Sequence, residues 1–235
     1  RFDGRVNIGS YNQRDVIASM AAPVTDTFSV GGSVALYRRD GYGKNKLTGE
    51  EHYNKDVDAA RFSAEWRPAD ALLFRLAADW VQDTSNARHG HREAPGAGLT
   101  AGEPVLKNIY DTRGGIGSDN RVETSGVSLL AQWALNDVFT LKSITAYREG
   151  DTDTVIDFDN SPRPALDVPG LYADRQFTQE LQLLFEGQRW QGVAGLFYLD
   201  AMARGKFDTI VGLINTTIAT SGQVDTESVA AFADV

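Results

Sequence analysis

The sequence predicts an all-β protein, a transmembrane antiparallel up-and-down β-barrel. Three observations support this class. Apolar and polar residues alternate with a period of two in most of the short segments. Tight turns alternate with long loops along the chain, and aromatic residues lie near the ends of the segments. No apolar run approaches the ~20 residues that a membrane-spanning helix needs, so a helical membrane protein is excluded.

Ten strands are predicted, each close to the roughly 9–11 residues of a tilted transmembrane strand. In the fifth segment Leu72, Leu76 and Trp80 share one face. Arg75 and Asp79 lie on the other face, so one side is apolar and the other mixed. The predicted strands cover residues 2–10, 13–24, 27–39, 55–67, 71–83, 121–134, 138–150, 173–186, 190–205 and 224–235.

The connections between these strands fall into two sets. Short turns are predicted near 25–26, 68–70, 135–137 and 187–189, and long loops near 40–54, 84–120, 151–172 and 206–223. The one exception is the short link at Tyr11 and Asn12, where the alternation predicts a long loop. Outer-membrane barrels have short periplasmic turns and longer extracellular loops. The long loops are therefore predicted to face outward.

Aromatic residues prefer the two membrane–water interfaces. The predicted periplasmic girdle comprises Phe28, Trp66, Phe74, Trp133, Phe139, Phe185 and Trp190. The predicted outer girdle comprises Tyr37, Trp80, Tyr147, Tyr172 and Tyr198. A soluble sandwich or lipocalin-like barrel also has alternating strands. Such a fold gives no reason for aromatic residues to gather at both ends, so the membrane barrel is favoured.

Charge and composition exclude some classes of partner and of metal site. The net charge of -9 argues against nucleic acid, because phosphate binding needs a basic surface. The absence of cysteine excludes disulfides and thiolate metal sites. The chain starts at Arg1 without an apolar leader and stops at Val235 inside a predicted strand. We therefore expect residues 1–235 to be one partial barrel domain of a longer protein.

Several segments, taken in order, resemble the barrel of TonB-dependent outer-membrane receptors. Each segment alone is weakly specific, and the match depends on their order and spacing. The segments are FDGRVNIGSYNQRD near the start, YRRDGYGKN at 37–45, RFSAEWRPADAL at 61–72, FTLKSITAYRE at 139–149, FTQELQL at 177–183 and GVAGLFYLD at 192–200. The opening segment resembles the first barrel strands after the plug domain of this family, so the chain corresponds to the N-terminal part of the barrel.

This resemblance implies a siderophore-receptor-like protein with a plugged barrel of about 22 strands. Ten strands would then form an open, curved sheet in sequential order, with the plug domain and C-terminal strands outside the chain. The whole protein would sit in the outer membrane of a Gram-negative bacterium, in contact with its lipid. It would import a scarce nutrient, a ferric siderophore, with energy from TonB through the missing N-terminal region.

On this reading the chain is not an enzyme and holds no cofactor, and the iron chelate is the transported ligand. Two alternatives stay open. One is an outer-membrane barrel hydrolase or protease, suggested by the strand count and by His89 and His91. The other is a passive porin.

Two groups of loop residues are candidates for ligand or metal contact. Arg88, His89, His91 and Arg92 could bind a ligand through neutral imidazole or by pairing with an anionic siderophore. The plainer reading is a solvated loop. Asp151, Asp153, Asp157 and Asp159 could bind calcium, although their spacing is not that of an EF-hand. The alternative is an ordinary acidic outer loop.

Overall fold

The computed structural model describes residues 1–235 and contains one large antiparallel sheet of ten strands. A two-stranded hairpin, β4 (Gly43–Lys44) and β5 (Glu51–His52), lies in the connection after the third strand. The ten strands of the large sheet are β1 (Phe2–Gly9), β2 (Gln13–Thr25), β3 (Phe28–Arg39), β6 (Lys55–Ala69), β7 (Leu72–Asp83), β8 (Asn120–Ala134), β9 (Phe139–Asp157), β10 (Leu166–Glu186), β11 (Gln191–Val211) and β12 (Thr216–Asp234).

The large sheet is open, and its strands are in sequential order. Strand β1 pairs only with β2, and β12 pairs only with β11, so both outer strands keep one unpaired edge. Every predicted strand is present. The predicted class, an open antiparallel sheet with the fold of part of a barrel, is confirmed. No helix in the structure has the length and apolar character needed to cross a membrane.

The two faces of the sheet differ in chemistry. Directly paired residues of antiparallel strands point to the same face. One face carries rows of apolar side chains that remain largely exposed, and we call it the apolar face. It includes Val34, Phe62, Leu76, Val127, Leu129, Leu181 and Leu196. The opposite face, called the polar face, carries ion pairs such as Arg75 with Glu65. Soluble monomers rarely expose an apolar surface of this extent, and such a surface is suited to contact with lipid.

Most of the predicted girdle residues lie on the apolar face. At the short-turn end, Phe28 pairs with Trp66, which pairs with Phe74 on the next strand. The ring centroids of Trp66 and Phe74 are 5.6 Å apart, and those of Phe139 and Phe185 are 5.5 Å apart. Trp133 shares this face. Towards the long loops, Trp80, Tyr147 and Tyr198 also lie on it.

The predicted girdles need three corrections. Tyr37 follows Leu36 and pairs with Asp15, which places it on the polar face. Tyr172 follows Leu171 and pairs with Thr152, which places it there as well. A position near a strand end does not decide which face a side chain occupies, because neighbouring residues alternate. Trp190 lies in the turn between β10 and β11, outside both strands.

Two of the predicted long loops are wrong. Strand β9 continues to Asp157 and β10 begins at Leu166, leaving only residues 158–165 between them. Strand β11 continues to Val211 and β12 begins at Thr216. Strands of 19 to 21 residues span roughly 60–70 Å at ~3.3 Å per residue. This is longer than needed to cross a hydrocarbon core of about 30 Å, even when the strands are tilted.

The short link between β1 and β2 has a simple explanation. Tyr11 and Asn12 both have left-handed backbone angles, with φ of 59° and 52°. Positive φ at both central residues defines the type I′ turn that suits the twist of a two-residue hairpin. The exception in the loop pattern is therefore a tight hairpin at the outward rim.

Candidate ligand-binding surface at the long-loop rim

The buried residues of this protein are concentrated at the long-loop rim. Sixteen residues are buried, and Ala87 is the only buried hydrophobic one. Most of the others are polar residues or glycines in residues 40–54, 84–119 and 157–170. We call this assembly the loop cluster. Polar contacts therefore hold it together in place of an apolar core.

Hydrogen bonds join the β4–β5 hairpin to the long connection between β7 and β8. Asn45 is fully buried, and its side-chain amide donates to the carbonyl of Gly114 at 2.8 Å. The backbone of Lys44 donates to Asp111 Oδ1 at 2.9 Å. Lys46 forms an ion pair with the other carboxylate oxygen of Asp111 at 2.7 Å. Because Asp111 is 67 residues from Lys44 in sequence, these contacts fix one loop against the other.

Two histidines pack inside the loop cluster. The rings of His52 and His89 are perpendicular, with centroids 5.0 Å apart. Nδ1 of His52 lies 3.0 Å from the carbonyl of Ala87, and Nε2 of His89 lies 2.6 Å from that of Gly117. A carbonyl only accepts, so each of these nitrogens donates. Burial lowers the pKa of His52 from its ordinary value, outweighing the opposing effect of the Ala87 carbonyl.

The four candidate residues of the long loop differ in their surroundings. His89 is bonded as described, and His91 Nδ1 lies 3.3 Å from the carbonyl of Asp111. Arg92 donates to the backbone carbonyl of Asp159. Three of the four therefore bond to the protein's own backbone, and Arg88 is exposed.

Four tyrosines meet at the same rim. The Tyr42 ring stacks on that of Tyr53 at 4.9 Å and meets that of Tyr110 edge-on at 4.8 Å. The Tyr11 ring lies 5.8 Å from Tyr42, and the Arg39 guanidinium lies 5.2 Å from the Tyr42 ring centroid. We call Tyr11, Tyr42, Tyr53 and Tyr110 the tyrosine cluster. They come from the β1–β2 turn and two separate loops, so sequence reasoning missed them as a group.

Two residues of the tyrosine cluster have strained backbone angles. Tyr11 and Tyr53 have φ of 59° and 63°, a conformation that bulky residues rarely adopt. Such angles cost on the order of 1–3 kcal/mol each and gather at functional sites. Arg39 donates to the carbonyl of Tyr53 and supports that conformation. Tyr11 is 55% exposed and Tyr110 is 43% exposed, so the cluster presents aromatic surface to the outside.

The four predicted calcium residues do not form one site. Asp157 is buried at the end of β9, and Asp159 follows in the loop. Asp151 and Asp153 are exposed residues within β9. Residues four and six positions apart along a strand are separated by roughly 13 and 20 Å, too far to bind one ion. The structure instead brings Asp167 to Asp157 and Asp159. Asp167 was missed because only the pairing of β10 with β9, which the sequence analysis did not predict at these residues, places it opposite Asp157.

The fold was compared with known proteins. No protein-family model matches the sequence, and no curated protein sequence matches it. The ferric yersiniabactin uptake receptor FyuA from Yersinia pestis matches 99% of this chain with a TM-score of 0.74 and 18% identity. The siderophore receptor PiuA from Acinetobacter baumannii matches 98% with a TM-score of 0.63 and 12% identity. The closed form of the ferric-catecholate import receptor Fiu from Escherichia coli K12 matches 99% with a TM-score of 0.63 and 15% identity.

These matches define the class of fold. The chain has the fold of part of the β-barrel of TonB-dependent siderophore receptors, and the predicted resemblance is confirmed at the level of the fold. The chain spans 36% to 38% of the length of these three structures.

Proposed function

We propose that this chain is part of the barrel of an outer-membrane active transporter that binds a ferric siderophore and imports it with TonB-supplied energy. The supporting observation is the ten-stranded open sheet, which matches the ferric yersiniabactin receptor over 99% of the chain. The apolar face would contact outer-membrane lipid. The polar face would line the lumen, as in other outer-membrane barrels.

The tyrosine cluster is our candidate for the first contact with the ligand. Partly exposed aromatic rings stack well on planar rings of a ligand. Arg39 lies against Tyr42, and its charge could pair with an anionic chelate. Receptors with a similar fold include those for ferric yersiniabactin and ferric catecholates. We therefore favour an iron chelate with aromatic rings over a purely aliphatic one.

The two histidines that suggested hydrolysis both bond to the backbone of the loop cluster. His89 is 5% exposed, and its Nε2 is bonded to the carbonyl of Gly117. His91 Nδ1 lies 3.3 Å from the carbonyl of Asp111. A general base must reach the proton that it removes from a substrate. These contacts favour a role in holding the loops together over a role in hydrolysis.

Transport is tested by deleting the gene in its own bacterium and growing the cells without free iron. Uptake of radiolabelled iron is measured with an aromatic (catecholate or phenolate) and an aliphatic siderophore. We expect the deletion to abolish uptake of the aromatic chelate and a tonB deletion to do the same. Unchanged uptake in the gene deletion would refute the proposal. Solute entry through the protein that persists without TonB would indicate a porin.

The ligand surface is tested by complementation with the double variant Tyr42→Leu/Tyr110→Leu. Each aromatic pair is worth ~0.5–1.5 kcal/mol, so losing two should raise the half-saturation concentration roughly 5- to 150-fold. Tyr147→Leu is the matched control, because Tyr147 lies on the apolar face of β9. It should leave half-saturation unchanged. Equal affinity for the double variant and the control, at equal surface amounts, would remove the tyrosine cluster from the binding site.

A further inference from the structure

Three carboxylates converge at the outer end of the β9–β10 hairpin. Asp157 and Asp167 pair directly across the two strands, and Asp159 lies in the loop that joins them. One oxygen from each of the three lies within 4.8 Å of the others. Asp157 and Asp167 are each only 3% exposed. Like charges facing each other across a strand pair are destabilising, and burial increases the cost.

Two of the carboxylates are held in place by the backbone. Asp157 accepts hydrogen bonds from the backbone of Asn160 and, at 3.0 Å, from that of Gly115. Asp159 accepts from the backbone of Leu166 at 2.7 Å and from the hydroxyl of Ser161. These bonds orient the two carboxylates without supplying a positive charge.

Asp167 provides an independent observation. The residue is only 3% exposed, and its Oδ1 is buried without a hydrogen-bond partner. Its other oxygen receives no hydrogen bond either, and none of the three carboxylates takes part in an ion pair. A buried carboxylate aimed at two others, with no donor or cation, indicates a missing positive partner.

We propose that Asp157, Asp159 and Asp167 bind a divalent cation, and that the cation is calcium. Calcium binds six to eight oxygen ligands at about 2.3–2.6 Å in flexible geometry. Three oxygens bound to such an ion at equal spacing are at most about 4.5 Å apart, so separations within 4.8 Å need a shift of at most a few tenths of an ångström. Water and backbone carbonyls would complete the shell. Magnesium is disfavoured because it demands shorter, near-octahedral contacts.

The cation would tie the long β7–β8 loop to the hairpin. Gly115 of that loop donates to Asp157, and Arg92 of the same loop donates to the carbonyl of Asp159. A Cβ on Gly114 would lie 2.4 Å from Asp157 Oδ2, so the loop backbone packs tightly against the carboxylate. Neutralising the three carboxylates would therefore stabilise both the hairpin tip and the loop packed on it. This effect is independent of which nutrient is transported.

Calcium binding is tested on the complete purified protein in detergent. Titration calorimetry with calcium should give a Kd in the range of about 10⁻⁴–10⁻³ M seen for extracellular modules, and magnesium should bind at least about tenfold more weakly. Limited trypsin cleavage gives a local signal, because Arg88 is exposed in the long loop. We expect calcium to slow cleavage after Arg88. No heat and no protection up to about 10 mM calcium, well above that range, would overturn the proposal.

The variant Asp167→Asn removes one charge while keeping the size of the side chain. It should lose the calcium-dependent protection and show more protection than the wild type without calcium, because it relieves the repulsion. The matched control is Asp153→Asn, an exposed residue of β9, the strand that ends at Asp157, and it should behave as the wild type. Calcium protection retained in Asp167→Asn, or lost in Asp153→Asn, would place the ion elsewhere and overturn the assignment.

Discussion

Gly126 is predicted to control an ion pair that spans three strands of the polar face. Asp79, Gly126 and Arg148 form one row across β7, β8 and β9. The Arg148 guanidinium passes over Gly126 and donates to both oxygens of Asp79, at 3.0 and 2.7 Å. A Cβ at Gly126 would lie 2.8 Å from Arg148 Nη1 and 3.0 Å from its Cγ and Cζ. The variant Gly126→Ala should therefore displace the guanidinium and break the pair.

The expected change in the free energy of unfolding has two parts, the exposed ion pair that is lost and the entropy of the unfolded chain. The side chains of Arg148 and Asp79 are 47% and 34% exposed, so solvent screening limits the pair to about 0.5–1 kcal/mol. Replacing glycine by alanine also restricts the unfolded chain and adds ~0.4–1 kcal/mol of stability. The two contributions nearly cancel. The net stability of Gly126→Ala is thus expected to change little, and the coupling between Asp79 and Arg148 is the quantity to measure.

The coupling is measured with a double-mutant cycle of Asp79→Asn and Arg148→Gln, using guanidinium unfolding of the protein in lipid vesicles followed by tryptophan fluorescence. We expect a coupling of about 0.5–1 kcal/mol with Gly126 present and none with Gly126→Ala. Gly32→Ala is the control, because its Cβ would meet only the carbonyl of Arg61 at an ordinary 3.4 Å. An unchanged coupling in Gly126→Ala would refute the argument that Gly126 makes room for the guanidinium.

Two further predictions concern the loop cluster. His52, which faces His89, Glu50 and Asp111, has a lowered pKa through burial. The unfolded loop therefore takes up a proton first as pH falls below about 6.5. Hydrogen-exchange protection of the loop should decline from that pH downward in the wild type but not in His52→Gln, and an equal decline in both would exclude His52 as the cause. A Cβ on Gly43 would lie 2.0 Å from the carbonyl of Tyr110, so Gly43→Ala should destabilise the loop cluster by about 1–3 kcal/mol. Faster trypsin cleavage after Arg88 would reveal this, whereas Gly222→Ala, with open space around it, should have no effect.

The strand pattern was predictable where the two faces of the sheet meet different surroundings. Strand β7 was predicted at 71–83 and occurs at Leu72–Asp83, because its apolar and polar residues alternate regularly. The pattern failed at the start of β10, where Asp167 and Pro169 interrupt the apolar residues. Under the proposed function these strand ends extend past the lipid, where both faces would meet polar surroundings and no alternation is required.

The candidate sites were less predictable, because they depend on contacts between distant loops. Asp157 and Asp159 were recognised as acidic neighbours, but their partner Asp167 depends on the register of β9 with β10. Tyr11 and Tyr110 lie far apart in the sequence, so their spacing could not predict that they meet. A cluster of tyrosines in the predicted loops was the only available signal.

The loop cluster is held by polar contacts, so its stability should depend on pH and on bound cations more than the stability of the sheet does. The sheet is held by continuous backbone pairing over strands of up to 21 residues. The loop cluster has one buried hydrophobic residue, and Nε2 of His52, Nδ1 of His89 and Oδ1 of Asp167 are buried without partners. Each unpaired group costs free energy that protonation or a bound cation can change. Loops stabilised in this way open at lower free energy than the strands that carry them. We therefore expect pH and the proposed calcium ion to change the order of the loop cluster, which carries Tyr42, Tyr53 and Tyr110, before they change the sheet below it.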